Sequence, residues 1–187
     1  MAILALDLAT VTGWALHEEG QALPFFGTLR LPYTPDECGP PMAKLRDFLD
    51  EKHAIWKFTE VVFEAQHIPM PKWDKVKKKW VQMLDMRTVY KLISLGSMIE
   101  LWCQDNGIGD RCYQVHIATW RKHFIGEGNL KRDAAKIKCM AVCQNLGWNT
   151  VEEDAAEAMG ILDYYLSIKP NYDRPWRDRM LAGGLVT

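Results

Sequence analysis

The chain opens with five apolar residues, Ala2 to Leu6, and places Asp7 directly after them. Such a run reads as a strand covered on both faces. A carboxylate at its end is either desolvated and paired, or held in a site. A second run, Glu60 to Ala65, is β-branched and aromatic and carries Glu64 near its end. A helical pattern lies between them, with Met42, Leu45, Phe48 and Leu49 on one face. Strands separated by helices pair in parallel, so the chain is committed to an α/β arrangement with two acids at strand ends.

The remaining elements follow from pattern and punctuation. Residues 12–20 and Phe25 to Leu31 read as two more strands, with a turn at Glu19-Gly20, so the domain opens as an antiparallel meander. Pro32, Pro35, Gly39, Pro40 and Pro41 mark a loop. Val81 to Gln104 carries a long helical pattern with small residues Ser94, Gly96 and Ser97 in its middle, suited to internal packing or to a dimer face. Arg111 to Val115 is a short strand, Ile117 to Phe124 a short helix, and Asn129 is placed to cap a helix from Leu130 to Leu146. Glu152 to Ile168 is the last helix. The expectation is an α/β fold with a mixed five-stranded sheet flanked by helices. Residues 1–168 form the domain. Residues 169–187 read as a tail, whose Arg174, Trp176, Arg177 and Arg179 leave open DNA binding or disorder.

Composition narrows the class. With 187 residues and 48% hydrophobic content the chain can bury a sizeable core, and no run is long enough to span a bilayer. The N-terminus has no basic segment followed by a long apolar one, so the expectation is a cytoplasmic protein without a secretory signal or a membrane partner. Five cysteines form no CxxC pair and read as reduced thiols. The net charge of −1 gives no global nucleic-acid signal, yet residues 111–138 hold seven Lys and Arg against two acids. A local basic face is enough for nucleic-acid binding.

The acids carry the chemistry. Besides Asp7 and Glu64, the last helix begins with Glu152, Glu153, Asp154 and Glu157. Asp154 and Glu157 are three apart and project from one face of the first turn. Acids there also complement the helix dipole, which is their ordinary role. Taken together, four carboxylates form an oxygen-only ligand set, suited to Mg²⁺ or Mn²⁺ rather than zinc. Two such ions about 3.5–4 Å apart clamp the attacking and leaving oxygens of a phosphodiester.

Residues 67–80 hold two prolines, two tryptophans and five lysines against one Asp. Read alone, the stretch is a solvated helix face with a buried Trp80. Read as directly following Glu64, Lys72, Trp73, Lys75, Lys77 and Lys78 interleave phosphate-neutralising charge with a stacking ring at the mouth of the acidic site. Arg121, Lys122, Lys131 and Arg132 extend the basic face. His116 and His123 in the same region read as surface or packing residues.

Three segments together resemble the acidic motifs of the RuvC-like Holliday junction resolvases, in the ribonuclease H-like nuclease superfamily. They are ALDLATVTGWAL around Asp7, VVFEAQ with Glu64 and Gln66, and EDAAEAMGI with Asp154 and Glu157. The family's last acid is an Asp where this chain has Glu157, and the Gln after the strand acid is displaced by one residue. The resemblance covers roughly residues 1–168. It implies a ribonuclease H-like fold and a homodimer acting on four-way DNA junctions. Asp7, Glu64, Asp154 and Glu157 would ligate two Mg²⁺ ions, with Mn²⁺ a substitute. It implies paired symmetric nicks that leave 5′-phosphate and 3′-hydroxyl ends. Lys131 matches the family's lysine at a helix start, in a role of stabilising charge on the scissile phosphate. Trp73 matches the aromatic that wedges into the junction. The length, the lysines after Glu64 and the tail depart from the bacterial pattern and leave a phage- or virus-encoded member open.

Other readings stay open at this level. An RNA–DNA hybrid fits the same superfamily. A non-catalytic junction-binding protein would keep the fold. Asp7 to Gly13 is also loosely like the phosphate loop of sugar kinases and actin-like ATPases. Those chains carry two lobes, and a Gly where this chain has Ala9.

Overall fold

The computed structural model describes residues 1–34, 36–66, 71–74, 76–81, 85–149, 152–169, 172 and 174–177, Lys72 by its backbone alone. In chain order the elements are β1 (Ala2–Asp7), β2 (Val11–Glu18), β3 (Phe25–Arg30), α1 (Gly39–Trp56), β4 (Glu60–Glu64), β5 (Lys72–Asp74) and β6 (Lys79–Val81). After these come α2 (Met86–Asp105), β7 (Cys112–Val115), α3 (Ile117–Ile125), α4 (Arg132–Asn145) and α5 (Glu153–Ser167). Five strands form one mixed sheet in the order β3-β2-β1-β4-β7. The β1–β2 and β2–β3 pairs are antiparallel, whereas β1–β4 and β4–β7 are parallel.

The central strand β1 is buried on both faces, which is why its sequence is an unbroken apolar run rather than an alternation. Ile3 and Ala5 point into one core layer with Val62, Trp120, Phe124, Ala156 and Met159. Leu4 and Leu6 point into the other, with Val61, Phe63, Leu45, Leu49, Ile99 and Trp102. Helices α1 and α2 therefore cover one face, and α3, α4 and α5 the other. Each fully buried side chain of this size contributes about 1.5–3 kcal/mol of transfer free energy.

Three boundaries differ from the expectation, each for a local reason. Pro40 and Pro41 do not end a loop but occupy the first turn of α1, where their fixed φ and missing N–H suit a helix start. Val81 ends a strand instead of opening a helix; α2 starts at Met86, where the Asp85 carboxylate accepts the Arg87 amide at 3.2 Å. Leu84, counted in the expected helix, lies outside the described residues. The fourth helix starts at Arg132 with Lys131 at its N-cap, so Asn129 is not the cap.

The expected tail is partly core. Trp176 is 1% exposed and packs on Trp148 and His17. Its indole N–H donates to buried Asp163 at 2.7 Å, and Arg177 donates to the same carboxylate. Trp176 is thus a core residue, because burying so large an indole removes much apolar surface from water, and Arg177 is ordered beside it. Arg179 lies outside the described residues. No helix among the described residues is long and apolar enough to cross a membrane.

Candidate active site

Parallel register brings the strand acids together. Leu6 pairs with Phe63 across β1 and β4, so the next residues along, Asp7 and Glu64, leave the sheet side by side at its carboxyl end. That end of a parallel sheet is where α/β folds place their sites. Asp7 also pairs with Gly13 of β2. A Cβ on Gly13 would stand 1.8 Å from the Asp154 carbonyl oxygen, so only glycine lets the start of α5 lie against the sheet here. This close approach sets Asp154 and Glu157 over Asp7.

Asp7, Asp154 and Glu157 each offer an oxygen, and these atoms lie within 4.8 Å of one another. Glu64 lines the same groove, its Oε2 accepting the Trp120 indole N–H at 2.9 Å. Burial pushes the Asp7 carboxyl well above the usual carboxylate range, and the charges of Glu157, Glu64 and Asp154 add to the rise. Burial raises Glu64 and Glu157 as well, with Arg121 opposing the rise at both. A cluster of acids that resist ionising together is a poor stabiliser of a fold and a good receptor for cations.

Two basic side chains stand inside the cluster. Arg121 of α3 donates to Glu157 at 2.6 Å, and both are buried. Lys136, 8% exposed, lies 2.7 Å from Asp154 and 3.2 Å from Glu153. Burial works against the Lys136 charge, but its hydrogen bond to Asp154 and the acids around it raise its pKa overall.

The expected site residues therefore divide. Asp7, Asp154 and Glu157 form one cluster, and Glu64 shares their groove. Lys131 is exposed, and Lys136, about one turn into α4, occupies the place beside the acids. Arg121 is buried against Glu157, because an arginine on the inner face of α3 reaches the start of α5, and it lines the same groove as the acids. Lys122 is exposed, and Arg132 is exposed on the groove wall. His116 caps α3 and His123 contacts Asp163, both of them packing roles.

The basic stretch after Glu64 is a β-hairpin, not a helix face. β5 and β6 pair antiparallel, with Trp73 opposite Trp80 and their rings 5.8 Å apart, edge to face. Asp74 holds the turn by accepting the Val76 and Lys77 amides, and Lys78 takes a left-handed φ of 48°. Trp80 is 67% exposed and Trp73 50% exposed, so neither is a core residue. Lys77 and Lys78 are exposed. Lys75 lies outside the described residues, as does the Lys72 side chain.

Lys136, Trp120 and Gly13 escaped the sequence reading as site residues. A lysine on the same helical face as buried Ala135 and Cys139 was a signal for the first. Nothing in the local sequence marks Trp120 as a partner of Glu64, 56 residues away.

No protein family profile matches the chain, and no curated protein sequence does. Solved structures do. RuvC of Thermus thermophilus in complex with a Holliday junction substrate superposes with a TM-score of 0.59 at 13% identity, covering 86% of this chain and 90% of that one. A structure of Thermus thermophilus RuvC gives 0.57 at 15% identity, covering 88% and 95%. At such identities the likeness speaks for architecture, and the chain has the RuvC-like, ribonuclease H-like α/β fold that its acidic motifs imply.

Proposed function

We infer that this chain is a divalent-metal-dependent endonuclease that resolves four-way and other branched DNA junctions, acting as a homodimer that makes paired symmetric nicks. The observation that carries this reading is the Asp7–Asp154–Glu157 cluster, with Glu64 beside it, in a groove of about 650 Å³ within a RuvC-like fold. A similar structure is of a RuvC bound to a Holliday junction.

The donor set fits the metal that the fold suggests: oxygens alone, half-buried at Asp7 and Asp154 and buried at Glu157, mutually repelling and close enough to share a cation. When bound by Asp7, Glu64, Asp154 and Glu157, Mg²⁺ or Mn²⁺ ions would supply water activation and neutralise charge on the leaving oxygen. The chain's own residues do the rest. Arg121 fixes the Glu157 carboxylate and Trp120 that of Glu64, so both are oriented before any ligand arrives. Lys136 carries a positive charge next to Asp154, where it can stabilise charge building on the scissile phosphate. Arg132 on the groove wall, with Lys77 and Lys78 on the hairpin, neutralises phosphates away from the cut. Trp73 is the wedge that enters the junction centre, a role supported by its exposed ring on a two-stranded hairpin.

Symmetric incision needs two sites, hence a dimer. Helix α2 supports one. Met86, Tyr90, Ser97 and Leu101 share its exposed side, with Tyr90 and Leu101 each 61% exposed. Gly96 is turned inward, where a Cβ would meet the Phe63 ring at 3.3 Å, so of the small residues Ser94 and Ser97 serve the outer face.

The test is a Mg²⁺-dependent cleavage assay on a mobile four-way junction, a linear duplex of the same sequence and an RNA–DNA hybrid. Paired symmetric nicks in the junction alone are expected. Cleavage of the hybrid alone would move the function to RNA removal. Tight junction binding without cleavage would make the chain a binding protein. Trp73→Ala is expected to weaken junction cleavage more than nicking of linear duplex, and equal loss on both would remove the wedge.

A further inference from the structure

The groove that holds the acids extends well beyond them. Part of it is walled by the β3–α1 connector, with Pro32 and Tyr33, and by the first turns of α2, with Arg87, Thr88 and Lys91. The whole space of about 650 Å³ is the size of a ligand site, more than a pair of ions needs. Tyr33 is 78% exposed at its rim. The Lys91 ammonium lies 5.1 Å from the Tyr33 ring centroid and donates to the carbonyl of Thr34. Arg87 reaches Asp36 of the same connector at 3.2 Å. These contacts tie the connector to α2 and hold the ring in place over a cation.

We propose that Tyr33 is a base-stacking platform and, with Lys91 and Arg87, forms a subsite for an unpaired nucleotide next to the scissile phosphate. The subsite rests on the nuclease reading, because its occupant is the strand leading away from the acids. Continuity argues for that occupant: Tyr33, Arg87 and Lys91 line the same groove as Asp7 and Asp154, so a strand whose phosphate lies at the acids has them beside its path. Chemistry argues for it too. An exposed aromatic face takes any base, and the cations beside it suit the adjoining phosphate. Arg87 and Asp36 are both largely exposed, 65% and 70%, so their pair is weak and Arg87 is readily shared with a phosphate. This subsite therefore binds a base pulled out of pairing, which a junction supplies and an intact duplex does not.

The experiment uses full-length Asp7→Asn protein, so that binding is read without cutting. Four-way junctions carry a single abasic nucleotide at each of the two positions on either side of the bond that the wild-type protein cuts. Binding is measured by fluorescence anisotropy. At one position the abasic nucleotide is expected to weaken binding about tenfold. Adding Tyr33→Ala weakens binding of the intact junction by a similar factor and abolishes the abasic effect, whereas Tyr33→Phe keeps both. An abasic effect of full size in the Tyr33→Ala protein, or none at any position with Tyr33 present, overturns the subsite. Junction cleavage by the wild-type protein without this coupling would sink the subsite alone. Failure to bind or cut any branched DNA would sink the nuclease reading with it.

Discussion

Arg121 and Glu157 form an ion pair of 2.6 Å in the middle of the acidic cluster, with both side chains less than a tenth exposed. The Arg121 Nε–H is buried with no partner among the described residues, so the guanidinium is committed to Glu157 through its outer edge. Removing one partner of a buried pair leaves the other charge uncompensated, at about 3–5 kcal/mol. Arg121→Leu is expected to lose stability of that order in metal-free buffer, measured by urea unfolding. Millimolar Mg²⁺ or Mn²⁺ should return part of it, since a cation at the acids replaces the missing charge. A loss below about 1 kcal/mol would mean that Lys136, whose charge also favours the Glu157 carboxylate, compensates it without Arg121.

Asp7 gives the opposite sign. Burial first, and then the charges of Glu157, Glu64 and Asp154, raise its pKa well above the usual carboxylate range. Because the folded value is above the unfolded one of about 3.9, its contribution is fully present below that pH. It is lost as pH climbs through the raised value. At pH 7 without metal the carboxylate therefore opposes folding. Asp7→Asn should raise the thermal midpoint by a few degrees at pH 7 and by little near pH 4. The same variant should lose cleavage while keeping junction binding, and its midpoint should respond less to Mn²⁺ than the wild type. A variant that melted below wild type at pH 7 and cut normally would remove Asp7 from the site.

Two lysines separate a motif match from a geometric one. Lys131 sits exposed at the N-cap of α4, whereas Lys136 is held 2.7 Å from Asp154. Lys136→Ala should reduce cleavage by at least tenfold more than Lys131→Ala, with kcat rather than KM bearing the loss, as expected of charge stabilisation in the transition state. Lys131→Ala should act mainly through DNA affinity and its salt dependence. Equal effects of the two variants would contradict the geometry.

The contrast shows what the sequence carried. Asp7, Glu64, Asp154 and Glu157 were legible because an acid at the end of an apolar strand, or two acids three apart on a helix, breaks a local pattern. The alternation of strand and helix gave the five-strand sheet, and the motif order gave its class. What was not legible depends on contacts between distant elements. Lys136 reaches Asp154 because α4 packs on α5, and Trp120 reaches Glu64 across the same layer. Arg121 looked like surface charge because α3 is short, and its inward face appears only once α5 lies over it. The Trp73–Trp80 hairpin hid behind its five lysines, which mask a strand's alternation. The same blindness applied to Trp176, whose prolines and glycines nearby speak for a tail.

Trp176 and Asp163 yield the last prediction. Asp163 of α5 is fully buried and accepts from Trp176, from Arg177 and from His123, with Nε2 of His123 at 3.0 Å. Burial works to raise its pKa, yet the hydrogen bonds from His123, Arg177 and Trp176 and the Arg177 charge outweigh it and hold the carboxyl below its usual range. A depressed folded value means stability that is present above the unfolded pKa of about 3.9 and lost as pH falls below it. Asp163→Asn should therefore cost about 3–5 kcal/mol at pH 7, a gap that is flat down to roughly pH 5 and narrows below pH 4. Trp176→Ala should cost about 3–5 kcal/mol, mostly at any pH as the loss of a buried indole, since its hydrogen bond is only one of several that hold Asp163 ionised. Asp163 lies nine residues along α5 from Asp154, about 13 Å of helix, so the docked segment also steadies the element that presents two of the acids. A chain ending at residue 169 should lose at least as much stability as Trp176→Ala in urea unfolding, because Arg177 goes with the indole, and should bind Mn²⁺ more weakly by calorimetry. If the shortened chain unfolded at the wild-type midpoint, the Trp176–Asp163 contact would carry none of the stability assigned to it here.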